Sequence, residues 1–172
     1  MAKMIDKIPS YEGEKKTWES FSVNLPQQYV VYNTRSIKGW EFDFCILAEN
    51  VGLFIVEVKG WKVKDIFNVV GEDSIILTGE EKPQSSPRKQ ARGYRFNMVN
   101  LLKQELGMNP LVMDLVCYPM ISKEEYRAKR LDVVSDETET IFKEDLEDAS
   151  SLYQKIIGRY NINKSTPHDE FN

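Results

Sequence analysis

The sequence has few of the residues that build metal clusters and histidine-based active sites. Its 172 residues include two cysteines and one histidine. No Cys-x-x-Cys pair is present and His168 lies in a polar tail, which excludes cysteine–histidine zinc sites and argues against histidine base catalysis. Cys45 and Cys117 each lie within an apolar run, which predicts reduced core residues of a cytoplasmic protein.

Long hydrophobic runs and phosphate-binding loops are also missing. The longest apolar stretch, residues 51–58, is interrupted by Gly52 and Glu57 and is far too short to span a bilayer. Residues 1–10 hold charged side chains and no apolar segment, so we expect neither a secretory signal nor a membrane partner. No Gly-x-x-x-x-Gly-Lys-Ser/Thr loop occurs, which excludes ATP binding of the Walker A type.

The net charge of −4 argues against binding nucleic acid through bulk positive charge. The excess of acidic residues lies after residue 120, so a nucleic-acid surface would have to be a patch in the first two thirds of the chain. A content of 41% hydrophobic and 29% charged residues is typical of a globular protein. We expect one domain over residues 1–160, with a core over 12–118, a helical extension over 119–160 and a polar tail or linker over 161–172.

Hydrophobic periodicity and turn residues predict the order of the elements. They indicate a helix over 13–25, strands over 29–33, 40–48 and 52–58, an inserted β-hairpin over 64–78, a helix over 87–106, a strand over 111–118, a short helix after Ser122, and a final helix over 142–160. The predicted fold is therefore α/β, with a mixed central sheet flanked by helices.

Two carboxylates and a lysine stand out on the predicted strands. Glu57 and Lys59 are two residues apart, so they project from the same face of their strand. Asp43 lies within the preceding apolar strand and reaches the same neighbourhood if the two strands form a hairpin. Buried carboxylates need a counter-charge. Oxygen ligands of this kind, with the Val58 carbonyl as a third, favour Mg²⁺ or Mn²⁺ over Zn²⁺.

The alternative for these residues is structural. A Glu-x-Lys pair at the edge of a sheet is common, and Asp43 would then cap a turn. The spacing of these residues is compatible with both interpretations.

Several motifs in order resemble the nuclease-related domain (NERD) family, a branch of the PD-(D/E)xK endonucleases. They are Gly13-Glu14 at the first helix, Glu41-Phe-Asp-Phe, and Gly52-Leu-Phe-Ile-Val-Glu-Val-Lys-Gly. The resemblance implies a restriction-endonuclease-like core with Asp43 as metal ligand, Glu57 and Lys59 as the (D/E)xK pair, and Glu14 as the acidic residue of the first helix. Glu19 competes with Glu14 for that role. No proline directly precedes Asp43, which is a common departure from the motif.

The helix after the hairpin carries two further candidates. Similar helicase-like nucleases have a Gln-x-x-x-Tyr motif here, which Gln90 and Tyr94 match. Four residues apart on a helix, these two side chains share a face. Arg88, Arg92 and Arg95 form the densest basic row of the chain and are predicted to contact DNA phosphates, the alternative being a solvated basic face.

Together these features predict a Mg²⁺- or Mn²⁺-dependent DNA endonuclease. The resemblance implies that a helicase domain accompanies it in a longer protein. The alternative is a catalytically weak or inactive module of the same fold that binds DNA or a partner.

Overall fold

The computed structural model describes residues 1–37 and 39–165. The strands are β1 (Lys3–Met4), β2 (Val30–Ile37), β3 (Trp40–Ala48), β4 (Gly52–Val58), β5 (Ile66–Val70), β6 (Ser74–Leu77), β7 (Gln84–Ser85), β8 (Val112–Cys117) and β9 (Thr140–Ile141). The helices are α1 (Glu12–Asn24), α2 (Pro87–Leu106), α3 (Lys123–Ala128), α4 (Lys143–Leu146) and α5 (Ala149–Ser165). Three short 3₁₀ turns join these elements at Val63–Asp65, Leu131–Val133 and Glu137–Glu139.

The central sheet has six strands in the order β1-β2-β3-β4-β8-β9. β3 runs antiparallel to both of its neighbours, β2 and β4, whereas β8 lies parallel to β4 and β9 lies parallel to β8. A parallel neighbour requires a crossover connection, which the hairpin and α2 supply between β4 and β8. The predicted fold class, a restriction-endonuclease-like mixed sheet flanked by helices, is confirmed.

Helices cover both faces of the sheet, which explains the nearly continuous apolar runs of its central strands. On one face, strand residues such as Phe44 and Val56 pack with Phe21 of α1 and Ile156 of α5. On the other face, Ile55 and its neighbours pack with α2. Successive residues of β4 therefore alternate between the face that α1 and α5 cover and the face that α2 covers.

The predicted ends of α2 are confirmed, because they depend on local chemistry. The Ser86 side chain accepts a hydrogen bond from the Lys89 backbone N–H at 3.2 Å, and Pro87 takes the first helical position. Gly107 ends the helix in the left-handed conformation with φ of 60°, which favours glycine. The predicted hairpin is also confirmed as β5 and β6, to which the two-residue strand β7 adds.

The carboxyl-terminal region differs from the single helix predicted over 142–160. Asp145 accepts hydrogen bonds from the Phe142 backbone N–H at 2.8 Å and from the Ser151 hydroxyl at 2.5 Å, and this separates the short α4 from α5. α5 then continues to Ser165, five residues beyond the predicted end, since no glycine or proline interrupts residues 159–165. Residues 161–165 of the predicted tail are thus helical, and residues 166–172 lie outside the described part.

The carboxyl-terminal extension packs against the same sheet as the core. Leu152 and Ile156 of α5 are fully buried with the sheet residues. Arg159 of α5 donates to the Asp114 carbonyl oxygen at 3.0 Å and lies 3.1 Å from the Asp114 carboxylate of β8. Both cysteines are free and buried, and burial raises the pKa of each thiol to about 12. Within the described ranges, no helix has the length and apolar character needed to cross a membrane.

Because α5 contributes to the core, Ile156→Ala should lower the free energy of unfolding by about 2–5 kcal/mol, the usual cost of truncating a buried isoleucine. For a chain of this size, that corresponds to a melting temperature lower by roughly 4–20 °C. Thermal denaturation followed by circular dichroism measures it. Ile162→Ala, at a 37% exposed position of the same helix, is the matched control and should melt close to wild type. Equal melting of the two variants would show that α5 does not share the core.

Candidate active site

The pairing of β3 with β4 brings Asp43 and Glu57 together. Phe44 lies opposite Val56 in the antiparallel register, and one further step places Asp43 opposite Glu57. Residues directly opposite each other in a sheet point to the same face. Glu57 is only 5% exposed, so the two carboxylates meet at the buried end of the strand pair.

Asp43 also supports the backbone at this point. Its Oδ2 accepts a hydrogen bond from the Val58 backbone N–H at 2.7 Å, just beyond the last paired residues of β3 and β4. The side chain therefore replaces a ladder hydrogen bond where the ladder ends. The structural role that we left open for Asp43 is present, but its partner is a strand N–H and not a turn.

Lys59 is held between Glu57 and Trp61. Its Nζ lies 3.2 Å from Glu57 Oε1 and 5.6 Å from the centre of the Trp61 ring. An ammonium at that distance from an indole is attracted by the face of the ring. The ion pair and the ring together fix the end of a side chain that is otherwise flexible.

The electrostatics of the two carboxylates reflect burial and mutual repulsion. Burial, followed by the charge of Asp43, raises the pKa of Glu57 to about 8, although Lys59 opposes the shift. Burial also raises the pKa of Asp43, against the hydrogen bond from Val58 and the charge of Lys59. Carboxylates whose charged forms are disfavoured in this way gain from a nearby cation.

Glu14 reaches this site from the first turn of α1. Gly13 makes the approach possible, since a Cβ on Gly13 would lie 2.8 Å from the Gly60 Cα. Burial, followed by the charges of Asp43 and Glu41, raises the pKa of Glu14, so its carboxyl group lies within their influence. Glu19 is exposed on the same helix. Of the two candidates, Glu14 is the one that the structure brings to the site.

The two α2 candidates differ in how closely they approach the carboxylates. The Tyr94 ring packs against the core beside Ile55, and burial and then the charge of Glu57 raise the pKa of its phenol. Gln90 lies one turn earlier and is half-buried. No hydrogen bond between the Gln90 side chain and another described residue is observed. Tyr94 therefore borders the site, and the role of Gln90 stays a prediction.

The three arginines of α2 do not form the exposed row that their spacing predicts. Arg95 is directed inward, with its side chain 11% exposed and its Nη1 2.8 Å from Asp114 Oδ1. Arg88 pairs with Glu139 at 3.0 Å, whereas Arg92 is exposed. The prediction for Arg95 is corrected, because its charge neutralises a buried carboxylate. DNA contacts by Arg88 and Arg92 stay a prediction.

Two residues near the site were not among the predicted site residues. The charge of Glu41 raises the pKa of Asp43, Glu14 and Tyr94, so it adds a further negative charge to the cluster. Its position two residues before Asp43 on the same strand was the available signal. Trp61 lies two residues after Lys59, and this spacing brings its ring against the Lys59 side chain.

Two hollows meet at the first turn of α1. One, of about 410 Å³, lies beside Val58 and Trp61, and the other, of about 350 Å³, lies beside Glu41; both are lined by Tyr11 and Glu14. A larger hollow of about 490 Å³ is at the opposite end of β3 and β4, where Glu49 is its one ionisable lining residue. The end of these strands with several ionisable side chains is therefore the Asp43–Glu57 end.

The carboxylate oxygens of this site suit a cation that keeps most of its bound water molecules. In the described part of the chain, no three His, Cys, Asp or Glu side chains are grouped closely enough to form a ready metal site. Mg²⁺ is usually bound through one or two carboxylates, water and substrate phosphate, and does not require such a group. The Asp43–Glu57 pair fits that requirement.

The comparison with known families agrees with this geometry. The family model described as nuclease-related domain (NERD) matches residues 9–119, which include α1, the β3–β4 pair, α2 and β8. No curated protein and no solved structure gives a significant match to the chain. The matched segment covers well over half of the sequence and contains every element that contributes a residue to the site, so the chain belongs to the nuclease-related domain family.

Proposed function

We propose that this protein is a Mg²⁺- or Mn²⁺-dependent DNA endonuclease that hydrolyses phosphodiester bonds. The observation that carries the proposal is the meeting of the partly buried Asp43 carboxylate with the buried Glu57 carboxylate, with Lys59 3.2 Å from Glu57. Membership of the nuclease-related domain family supports a nuclease function, and the paired carboxylates support metal dependence.

Each residue of the site has a proposed part. Asp43, Glu57 and the Val58 carbonyl would hold the cation, with Glu14 contributing from α1. When bound, the cation lowers the pKa of the water that it holds and neutralises negative charge on the phosphate. Lys59 would orient the attacking water or stabilise the negative charge that develops on the phosphate oxygens. Tyr94 and Gln90 would support this arrangement from α2.

We also propose DNA as the substrate, with Arg92 and Arg88 as candidate phosphate contacts on α2. We propose a cytoplasmic location, which the two free, buried cysteines support, since they need no oxidising compartment. A helicase domain in a longer protein is proposed on the family resemblance alone.

One observation favours the second candidate, a module that binds DNA or a partner without cleaving it. The Lys59 ammonium already lies 3.2 Å from Glu57 without a cation, and no ready cluster of three metal ligands is present among the described residues. A lysine that already pairs with the carboxylate competes with a metal ion for it, which a purely binding role would allow.

Incubation of purified protein with supercoiled plasmid separates the two candidates. The endonuclease should convert the plasmid to open circles in Mg²⁺ or Mn²⁺, and excess EDTA should abolish the conversion. Electrophoresis of the products measures it. Retardation of the plasmid without any metal-dependent nicking would favour the binding module.

A further inference from the structure

The hollow beside Val58 and Trp61 has the properties of a ligand site next to the carboxylates. Its volume of about 410 Å³ is within the range of small-molecule pockets. Val58 and Glu14 line it and are also part of the candidate active site. A DNA strand with one phosphate at Asp43 and Glu57 would therefore place a neighbouring nucleotide at this hollow. We call this hollow the α1 groove.

Tyr11 at the edge of the α1 groove is not explained by local stability. It is the N-cap residue of α1, a position that favours Ser, Thr, Asp or Asn. Its side chain makes no capping hydrogen bond and is 76% exposed. An exposed aromatic ring at a position that a small polar residue would fill better indicates a role in binding.

The floor of the α1 groove is backbone. Gly13 and Gly60 both line it, and a Cβ on Gly13 would lie 2.8 Å from the Gly60 Cα and 3.3 Å from the Pro119 Cγ. The two glycines pack backbone against backbone, so no side chain projects from the lining at this point. Trp61 supplies a second aromatic residue to the lining.

The charge of the α1 groove excludes phosphate as its occupant. Glu12 and Glu14 are both in its lining, and none of the described residues that line it is Lys or Arg. Carboxylates repel a phosphate but accept hydrogen bonds from the exocyclic amines of bases. Aromatic side chains bind nucleobases by stacking, which tolerates any base sequence.

We propose that the α1 groove binds one unpaired nucleobase of the DNA strand, stacked on Tyr11, next to the phosphate at the Asp43–Glu57 site. The inference rests on the proposed DNA-cleaving function and deepens it. Because a base in a duplex is already paired and stacked, it must leave the helix to enter the groove. The preferred substrate is therefore single-stranded DNA or a locally unpaired stretch of a duplex, such as negative supercoiling produces in a plasmid.

Fluorescence anisotropy in Ca²⁺, a divalent cation that takes the same oxygen ligands, tests this, with a labelled single-stranded oligonucleotide and the duplex of the same sequence as probes. Tyr11→Ser should weaken single-strand binding by roughly 5- to 100-fold, the range for losing one base–aromatic stack. Duplex binding should not change, and neither should the salt dependence of affinity, because no phosphate contact is lost. Serine also provides the missing N-cap, so the variant should be at least as stable as wild type.

Two control variants separate stacking from other effects. Tyr11→Phe keeps the ring and should bind the single strand within about twofold of wild type, as the ring face supplies the stacking. Phe67→Ser removes an aromatic ring that is 65% exposed on β5, outside the α1 groove, and should have no effect.

The outcomes distinguish this inference from the proposed function. Wild-type cleavage of plasmid together with unchanged single-strand affinity of Tyr11→Ser, or with no single-strand binding at all, would overturn the α1 groove and leave the nuclease in place. A weakened salt dependence in Tyr11→Ser would also overturn it, since phosphate contacts would then be responsible. Absence of both binding and metal-dependent cleavage would overturn the two proposals together.

Discussion

Replacing Lys59 by alanine should lower the rate of DNA cleavage by about 10²-fold or more, the scale of losing one charge-stabilising group. The structure holds the Lys59 ammonium at 3.2 Å from Glu57 and against Trp61, so its position is fixed before any substrate binds. A group fixed in advance stabilises developing charge without having to reorganise during the reaction. Cleavage rates at saturating Mn²⁺ measure the effect.

Binding of Mn²⁺ should separate this catalytic role from a role in holding the metal. Lys59 competes with a cation for Glu57, and its loss should keep or slightly strengthen Mn²⁺ affinity by calorimetry. The titration is best made near pH 9, above the pKa of about 8 of Glu57, where a proton no longer competes. Lys64→Ala, at an exposed lysine a few residues away, is the matched control and should cleave normally. Near wild-type cleavage by Lys59→Ala would refute the assigned role.

Glu57→Gln should make the metal-free protein more stable at alkaline pH. Burial and Asp43 raise the pKa of Glu57 from about 4.5 to about 8, so the folded state favours its protonated form. The stability that this provides is complete below pH 4.5 and is lost as the pH rises to 8. The wild-type melting temperature should therefore fall over this window relative to that of the variant, in which the group cannot ionise.

The size of this stabilisation follows from the shift in the pKa of Glu57. A change from 4.5 to about 8 corresponds to roughly 5 kcal/mol at 1.36 kcal/mol per pKa unit, and we expect about 2–4 kcal/mol, because Lys59 loses its partner in the variant. That is an increase in melting temperature of roughly 4–16 °C at pH 8, and almost none at pH 4.5. Melting curves in EDTA across this range measure it. Glu49→Gln changes an exposed glutamate near the other end of the strands, and its melting temperature should follow that of wild type at every pH. If the melting temperature of Glu57→Gln also followed wild type at every pH, Glu57 would ionise normally.

The elements predicted best are those whose limits depend on neighbouring residues in the chain. Ser86, Pro87 and Gly107 define α2 by capping chemistry, and the apolar runs that contain Asp43 and Glu57, joined by a short turn, define β3 and β4. The two-residue strands β1, β7 and β9 were not predicted. They exist because another strand offers hydrogen-bond partners, and two residues carry no periodic pattern.

The site was predictable where both partners lie on one hairpin. Asp43, Glu57 and Lys59 follow from strand periodicity and a short turn, which is local information. The inward direction of Arg95 depends on Asp114, which lies on β8 and is buried within an apolar run. An acidic residue inside an apolar strand was visible in the sequence, as it was for Asp43. That Arg95 and Arg159 would pair with it depends on the packing of α2 and α5 against β8, which the sequence pattern does not reveal.

The central claim is that the charge of Asp43 is required for metal-dependent cleavage, and Asp43→Asn tests it most directly. The asparagine side-chain oxygen can still accept the hydrogen bond that the Val58 N–H donates to Asp43, so the metal-free variant should melt at or above the wild-type temperature. In a plasmid-nicking assay with Mg²⁺ or Mn²⁺, wild type should produce open circles and Asp43→Asn should produce none. Nicking by the folded variant at the wild-type rate, or nicking by wild type in excess EDTA, would contradict the account.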